Sequence, residues 1–113
     1  MSGLSTHVLD LAAGRPAKGV AVRLEREETA GVWAIIAERE TDDEGRVKDL
    51  IAAGQVRPGR YRLVFDTGAY FEAQRNPVFF PEVSVRFDVQ DASAKLHVPL
   101  LLSPFGYSTY RGS

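Results

Sequence analysis

At 113 residues, with 44% hydrophobic and 26% charged side chains and a formal net charge of −1, the chain has the size and balance of one folded unit spanning residues 1–113, not of a self-repelling disordered polymer. It contains no cysteine, which excludes a disulfide framework, a thiolate metal site and a thiol nucleophile. Fourteen basic against fifteen acidic residues give no overall field for a polyanion, so no nucleic-acid partner is expected.

The dominant pattern is period-2 alternation in short runs separated by glycine, proline or charged turn residues, the signature of half-buried antiparallel strands. Eight runs are placed. Residues 4–10 form the first, and residues 14–19, Gly-Arg-Pro-Ala-Lys-Gly, read as a loop. Residues 20–25 and 32–39 follow as a hairpin joined through Thr29-Ala30-Gly31. Residues 41–46 read as a tight turn in which Gly45 takes positive φ, leading into a very short strand at 46–48. One helical turn is expected at 49–54.

The strand at 60–66 is expected to bury Tyr61, Leu63 and Phe65 and to turn Arg60 and Arg62 to solvent. A short helix follows, capped by Asp66 or Thr67 and running over 69–75 until Asn76-Pro77 stops it. Strands at 83–89, 95–102 and 105–111 complete the chain, the last two as a hairpin around Ser103-Pro104. Pro99 cannot donate to a ladder, so an irregularity is expected there. Strand-rich content with one helix predicts an all-β, two-sheet sandwich.

His7 and His97 are the only histidines. Alternation puts His7 on a face with Ser5 and Leu9, and His97 on a face with Pro99 and Leu101, while Leu96, Val98, Leu100 and Leu102 look like core. The later strand is therefore apolar on both sides, which favours association between subunits. Each histidine by itself reads first as a hydrogen-bonded strand residue rather than a catalytic one, because spacing does not bring them together. Two histidines ninety residues apart make no zinc site, and Asp42-Asp43-Glu44 lacks the alternating oxygen ligands of a calcium loop, so no metal and no other cofactor are expected. Neither Ser103 nor Ser113 sits in a nucleophile elbow. The first residues lack a basic segment followed by an apolar stretch, and no apolar run approaches membrane-spanning length, so a cytoplasmic protein with no membrane partner is expected.

Three stretches carry a resemblance: Leu4-Ser5-Thr6-His7-Val8-Leu9-Asp10, residues 41–46 with Gly45-Arg46, and residues 96–113, which end in Tyr110-Arg111-Gly112-Ser113. Together they resemble the 5-hydroxyisourate hydrolases, the enzyme branch of the transthyretin-like family, and the closing tetrapeptide is the tag that separates these hydrolases from hormone carriers. The resemblance implies an eight-stranded prealbumin-like (transthyretin-like) sandwich with one short helix, assembled as a homotetramer around a channel. It implies a small purine-derived substrate whose ring is opened by water without metal. It assigns His7, Arg46 and His97 as catalytic and Tyr110, Arg111, Gly112 and Ser113 as substrate-binding. Glu44 departs from the aspartate usual in the family and is expected to alter how Arg46 is held.

Such a hydrolysis needs a base for water, a donor for the developing oxyanion and an acid for the departing nitrogen. Imidazole suits the first and last, and a forked, permanently charged guanidinium suits an anionic ring. The rival readings are a carrier that binds an aromatic ligand without reacting it and a structural or interaction sandwich.

Overall fold

A computed structural model describes residues 3–112. The strands are β1 (Gly3–Asp10), β2 (Arg15–Pro16), β3 (Ala21–Thr29), β4 (Val32–Glu40), β5 (Arg46–Ile51), β6 (Gly59–Phe65), β7 (Val83–Val89), β8 (Lys95–Ser103) and β9 (Gly106–Thr109), with the helix α1 (Thr67–Ala73) between β6 and β7. One sheet has the order β2-β1-β8-β9, with β5 also on β1, and the other has the order β4-β3-β6-β7. The eight expected strands are present, joined by the two-residue β2, and the fold is the two-sheet prealbumin-like sandwich with one short helix.

Alternation places the core. Leu4 and Val8 of β1, Val22 and Leu24 of β3, Leu63 and Phe65 of β6, and Leu100 and Leu102 of β8 are buried between the sheets. Two polar side chains on these inner faces are satisfied locally, as burial demands. Thr6 donates to the Val98 carbonyl at 2.6 Å, and the Asp10 carboxylate accepts from the Tyr70 hydroxyl at 2.7 Å and the Ala13 N–H at 2.9 Å. The Asp66 carboxylate caps α1 by accepting from the Ala69 N–H.

Four expectations are corrected. First, β1 and β8 pair in parallel, Gly3 with Lys95 through Asp10 with Leu102, not antiparallel. Second, residues 49–51 do not turn into a helix. They extend β5, where Ile51 pairs with Leu4 and Leu50 reaches the core at 3% exposure, a burial that only the strand provides. Third, the predicted loop at 14–19 contains β2, because β5 leaves the second half of the β1 edge open and Leu9 and Asp10 pair there with Pro16 and Arg15. Fourth, Arg62 does not face open solvent: it bonds the buried Glu25 and lies over the Trp33 ring, 4.2 Å from its centroid.

The irregularity at Pro99 lies in the β8–β9 ladder. Leu100 pairs with Thr109 and His97 with Gly112, one register interrupted across Pro99 and Tyr110. Proline offers no N–H at that point, so the chain leaves the sheet at Tyr110 and returns at Gly112, whose N–H donates to the His97 carbonyl at 2.7 Å.

Candidate active site

The outer face of β1 and β8 carries the chemistry. Parallel register sets Ser5 beside His97 and His7 beside Pro99, so both imidazoles stand on that face, offset by two residues. Their ring centroids are 6.5 Å apart. On the other side of β1, Arg46 pairs directly with His7. Three residues far apart in sequence thus meet through two strand pairings.

Gly45 makes the Arg46 placement possible. Its φ is +76°, and a Cβ there would lie 2.4 Å from the Val8 carbonyl oxygen, so only glycine lets the turn close against β1. The same turn orients His7. The carbonyl of Glu44 can only accept, so the contact of 2.8 Å to His7 Nε2 is a donated N–H, leaving Nδ1 as the free nitrogen. Because position 44 acts through its main chain, glutamate there leaves this bond intact. Arg46 is held through its own N–H, which donates to the Asp42 carboxylate at 3.0 Å.

His97 is half-buried and gripped on both flanks. Ser5 Oγ lies 2.8 Å from its Nδ1, and on the opposite flank a Cβ at position 112 would sit 2.8 Å from its Cδ2. Burial, then the charges of His7, Arg46 and Lys95, hold its pKa below the ordinary 6.5, so the ring is poised as a neutral base near pH 7. A groove of about 500 Å³ runs past it, lined by Ser5, Arg46, Lys48, Asp49 and Lys95 among others.

The closing segment is divided. Gly112 packs on His97, whereas Tyr110 and Arg111 line a second cavity of about 230 Å³ on the other side of His97, toward β7. His97 and its neighbour Leu96 line both spaces. Ser113 lies outside the described residues. Ser5 is a site neighbour that only the parallel pairing of β1 with β8 sets beside His97, whereas Lys95 and Lys48 share faces with His97 and Arg46 by alternation along their own strands. Among the described residues, no group of three or more His, Cys, Asp or Glu is arranged to hold a metal ion, and no helix is long and apolar enough to cross a membrane.

The sequence profile of the HIUase/Transthyretin family matches residues 4–112. A 5-hydroxyisourate hydrolase of Salmonella dublin is 47% identical over 110 residues, covering 97% of this chain and 80% of the relative. The structure of Klebsiella pneumoniae 5-hydroxyisourate hydrolase superposes with a TM-score of 0.87 at 38% identity, covering all of both chains. Sea bream transthyretin in complex with thyroxine superposes with a TM-score of 0.90 at 35% identity, covering 96% of this chain and 93% of that one. Backbone shape therefore fails to separate a hydrolase from a thyroxine-bound transthyretin, and the separation rests on side chains.

Proposed function

Since the chain belongs to the HIUase/transthyretin family, we propose that it is the hydrolase that opens 5-hydroxyisourate, giving 2-oxo-4-hydroxy-4-carboxy-5-ureidoimidazoline in uric acid degradation. The observation that carries this reading is the pair of imidazoles 6.5 Å apart on one outer face with Arg46 in register beside His7. A carrier needs no such pair. Catalysis by two groups near neutral pH does.

In this reading His7 and His97 divide the base and acid roles, and Arg46 grips the anionic ring or its developing oxyanion. Tyr110, Arg111 and Gly112 bind substrate from the far side of His97, and Ser113 is assigned to substrate binding with them. No metal or organic cofactor is invoked. The whole chain acts as one domain, and the cytoplasm is its proposed compartment, a cysteine-free chain needing no oxidising one.

The assembly we favour is a homotetramer. Leu11, Phe105, Tyr107 and Tyr110 are large side chains left 43–68% exposed, a pattern that supports burial between copies. Association would also enclose a groove that is open in the single chain, excluding water and strengthening its electrostatics.

The test is the decay of freshly generated 5-hydroxyisourate, followed by absorbance. The protein should accelerate it, and His7→Asn or His97→Asn should lower turnover by roughly 100-fold or more, the scale of lost acid–base catalysis. Decay at the spontaneous rate with wild-type protein, or unchanged turnover in both variants, rejects the reading. Binding without acceleration would mark a carrier.

A further inference from the structure

We propose that Ser5 is a positioning residue for His97, accepting a hydrogen bond from Nδ1–H and so leaving Nε2 free as the base that activates water. This deepens the hydrolase reading and rests on it for the role of His97, though the Ser5 contact stands on geometry alone.

Two adjacent hydroxyl side chains tie β1 to β8 from opposite faces. Thr6 donates to the Val98 carbonyl at 2.6 Å within the core, which fixes the backbone that carries Ser5. On the outer face, Ser5 Oγ then meets His97 Nδ1 at 2.8 Å. Across the ring, Gly112 approaches Cδ2 so closely that a side chain there would have no room. With Nδ1 and Cδ2 both engaged, the remaining edge, Cε1 and Nε2, is the part of the ring left to meet substrate.

The direction of the Ser5 bond follows from what faces His97. Arg46 and Lys95 act on the ring from β5 and from its own strand, and His7 acts from β1. Lys48 and Asp49 line the same groove. The net positive surroundings of the ring favour a lone pair over an N–H at its unengaged nitrogen, Nε2. A neutral imidazole that presents its lone pair at Nε2 must carry its proton at Nδ1, and a serine hydroxyl is able to accept it. His7 is complementary: its Nε2–H is committed to the Glu44 carbonyl, so in its protonated form Nδ1–H is the proton it has to give.

Water passes a proton to His97 Nε2 as its oxygen bonds to the ring carbonyl carbon, whose C=O π pair moves onto oxygen as an oxyanion and re-forms the C=O as the leaving nitrogen departs. The C–N bond then breaks with its electron pair leaving on nitrogen, which takes a proton from His7 Nδ1.

Nitrogen-15 NMR of the histidine rings near neutral pH, with turnover measured on the same samples, tests the assignment. In wild-type protein, His97 should show a protonated Nδ1 and an unprotonated Nε2. Ser5→Ala should move the ring toward the Nε2–H tautomer and lower kcat about tenfold with little change in KM, the scale of one hydrogen bond. Ser5→Thr, which keeps the oxygen, should restore both. A wild-type His97 protonated at Nε2, or a Ser5→Ala variant with unchanged tautomer and kcat, overturns the proposal. Wild-type protein that fails to accelerate ring opening overturns the hydrolase reading, and the spectra then decide the Ser5 contact by themselves.

Discussion

Each sheet turns one face away from the shared core, and the two outer faces treat charge in opposite ways. On the β3–β6 side, Glu25 is only 6% exposed. Burial opposes its charge, but hydrogen bonds from Arg62 and Arg23 outweigh that and hold its carboxyl below the ordinary carboxylate value. Arg62 and Arg86 also flank the Trp33 ring, at 4.2 and 5.4 Å from its centroid. On the β1–β8 side, Arg46, Lys48 and Lys95 line the groove and make no ion pair among the described residues. The charges of Arg46 and Lys95 act on His97, and those of Lys48 and Arg46 on Asp42 at the turn. Charge answered within the protein stabilises it, whereas charge left unanswered is available to a ligand and perturbs a neighbouring base.

This contrast predicts a crossed outcome for stability and turnover. The largest effect belongs to the histidine face, where the roughly 100-fold loss expected for His97→Asn should come with an unchanged Tm. Glu25→Gln should do the reverse. Breaking a fully buried pair costs about 3–5 kcal/mol, but the Arg62 and Arg23 side chains remain 23% and 38% exposed, so roughly 1–2 kcal/mol is expected, with kcat untouched. The pH dependence has a definite sign. A lowered carboxylate pKa contributes stability that is complete above the ordinary 4.5 and is lost as pH falls through the lowered value. The Tm difference between wild type and Glu25→Gln should therefore shrink in acid. A gap that widens in acid, or a variant that loses turnover, would erase the distinction between the two faces.

Gly112→Ala sharpens the comparison within the site. The added methyl would meet His97 Cδ2 at 2.8 Å, so either the ring or the returning tail must shift. A fall in kcat of about fivefold to tenfold is expected, because small misplacements of a catalytic group are costly. Tm should change little. An alanine tolerated without loss of turnover would mean that the fit of the tail against His97 does not matter for catalysis.

How much of this was readable beforehand depended on whether the cause was local. Alternation along β1 and β8 assigns the inner and outer faces correctly, the capping of α1 by Asp66 follows from its side chain, and the break at Pro99 follows from its missing N–H. Partners distant in sequence are another matter. Nothing in residues 4–10 says that their neighbour is the parallel strand 92 residues on, so alternation leaves His7 and His97 as two isolated strand residues. Their union was expected only through the resemblance carried by His7, Gly45-Arg46 and the closing tetrapeptide. Ser5 was hidden for the same reason. Arg62 escapes a local reading because its partner, the buried Glu25, lies on another strand, and residues 49–51 escape it because pairing with the edge of β1, not local propensity, keeps them extended.

The smallest expected effect is the most specific to the unanswered charge. Lys95 lies two residues before His97 on β8, yet its charge is among those that lower the His97 pKa, after burial, His7 and Arg46. If His97 is the base, it must be neutral to act, so the acid limb of kcat/KM should fall below the ordinary imidazole value of 6.5. Lys95→Gln removes one positive neighbour, lets the His97 pKa rise, and should move that limb upward in pH. The same variant weakens the attraction of the groove for an anionic substrate, so its kcat/KM should fall a few-fold at low salt and converge on wild type as ionic strength screens the missing charge. Lys95→Arg, which keeps the charge, should show neither change. An acid limb that stays in place at low salt would mean that this face, like the other, has its charge fully answered inside the protein.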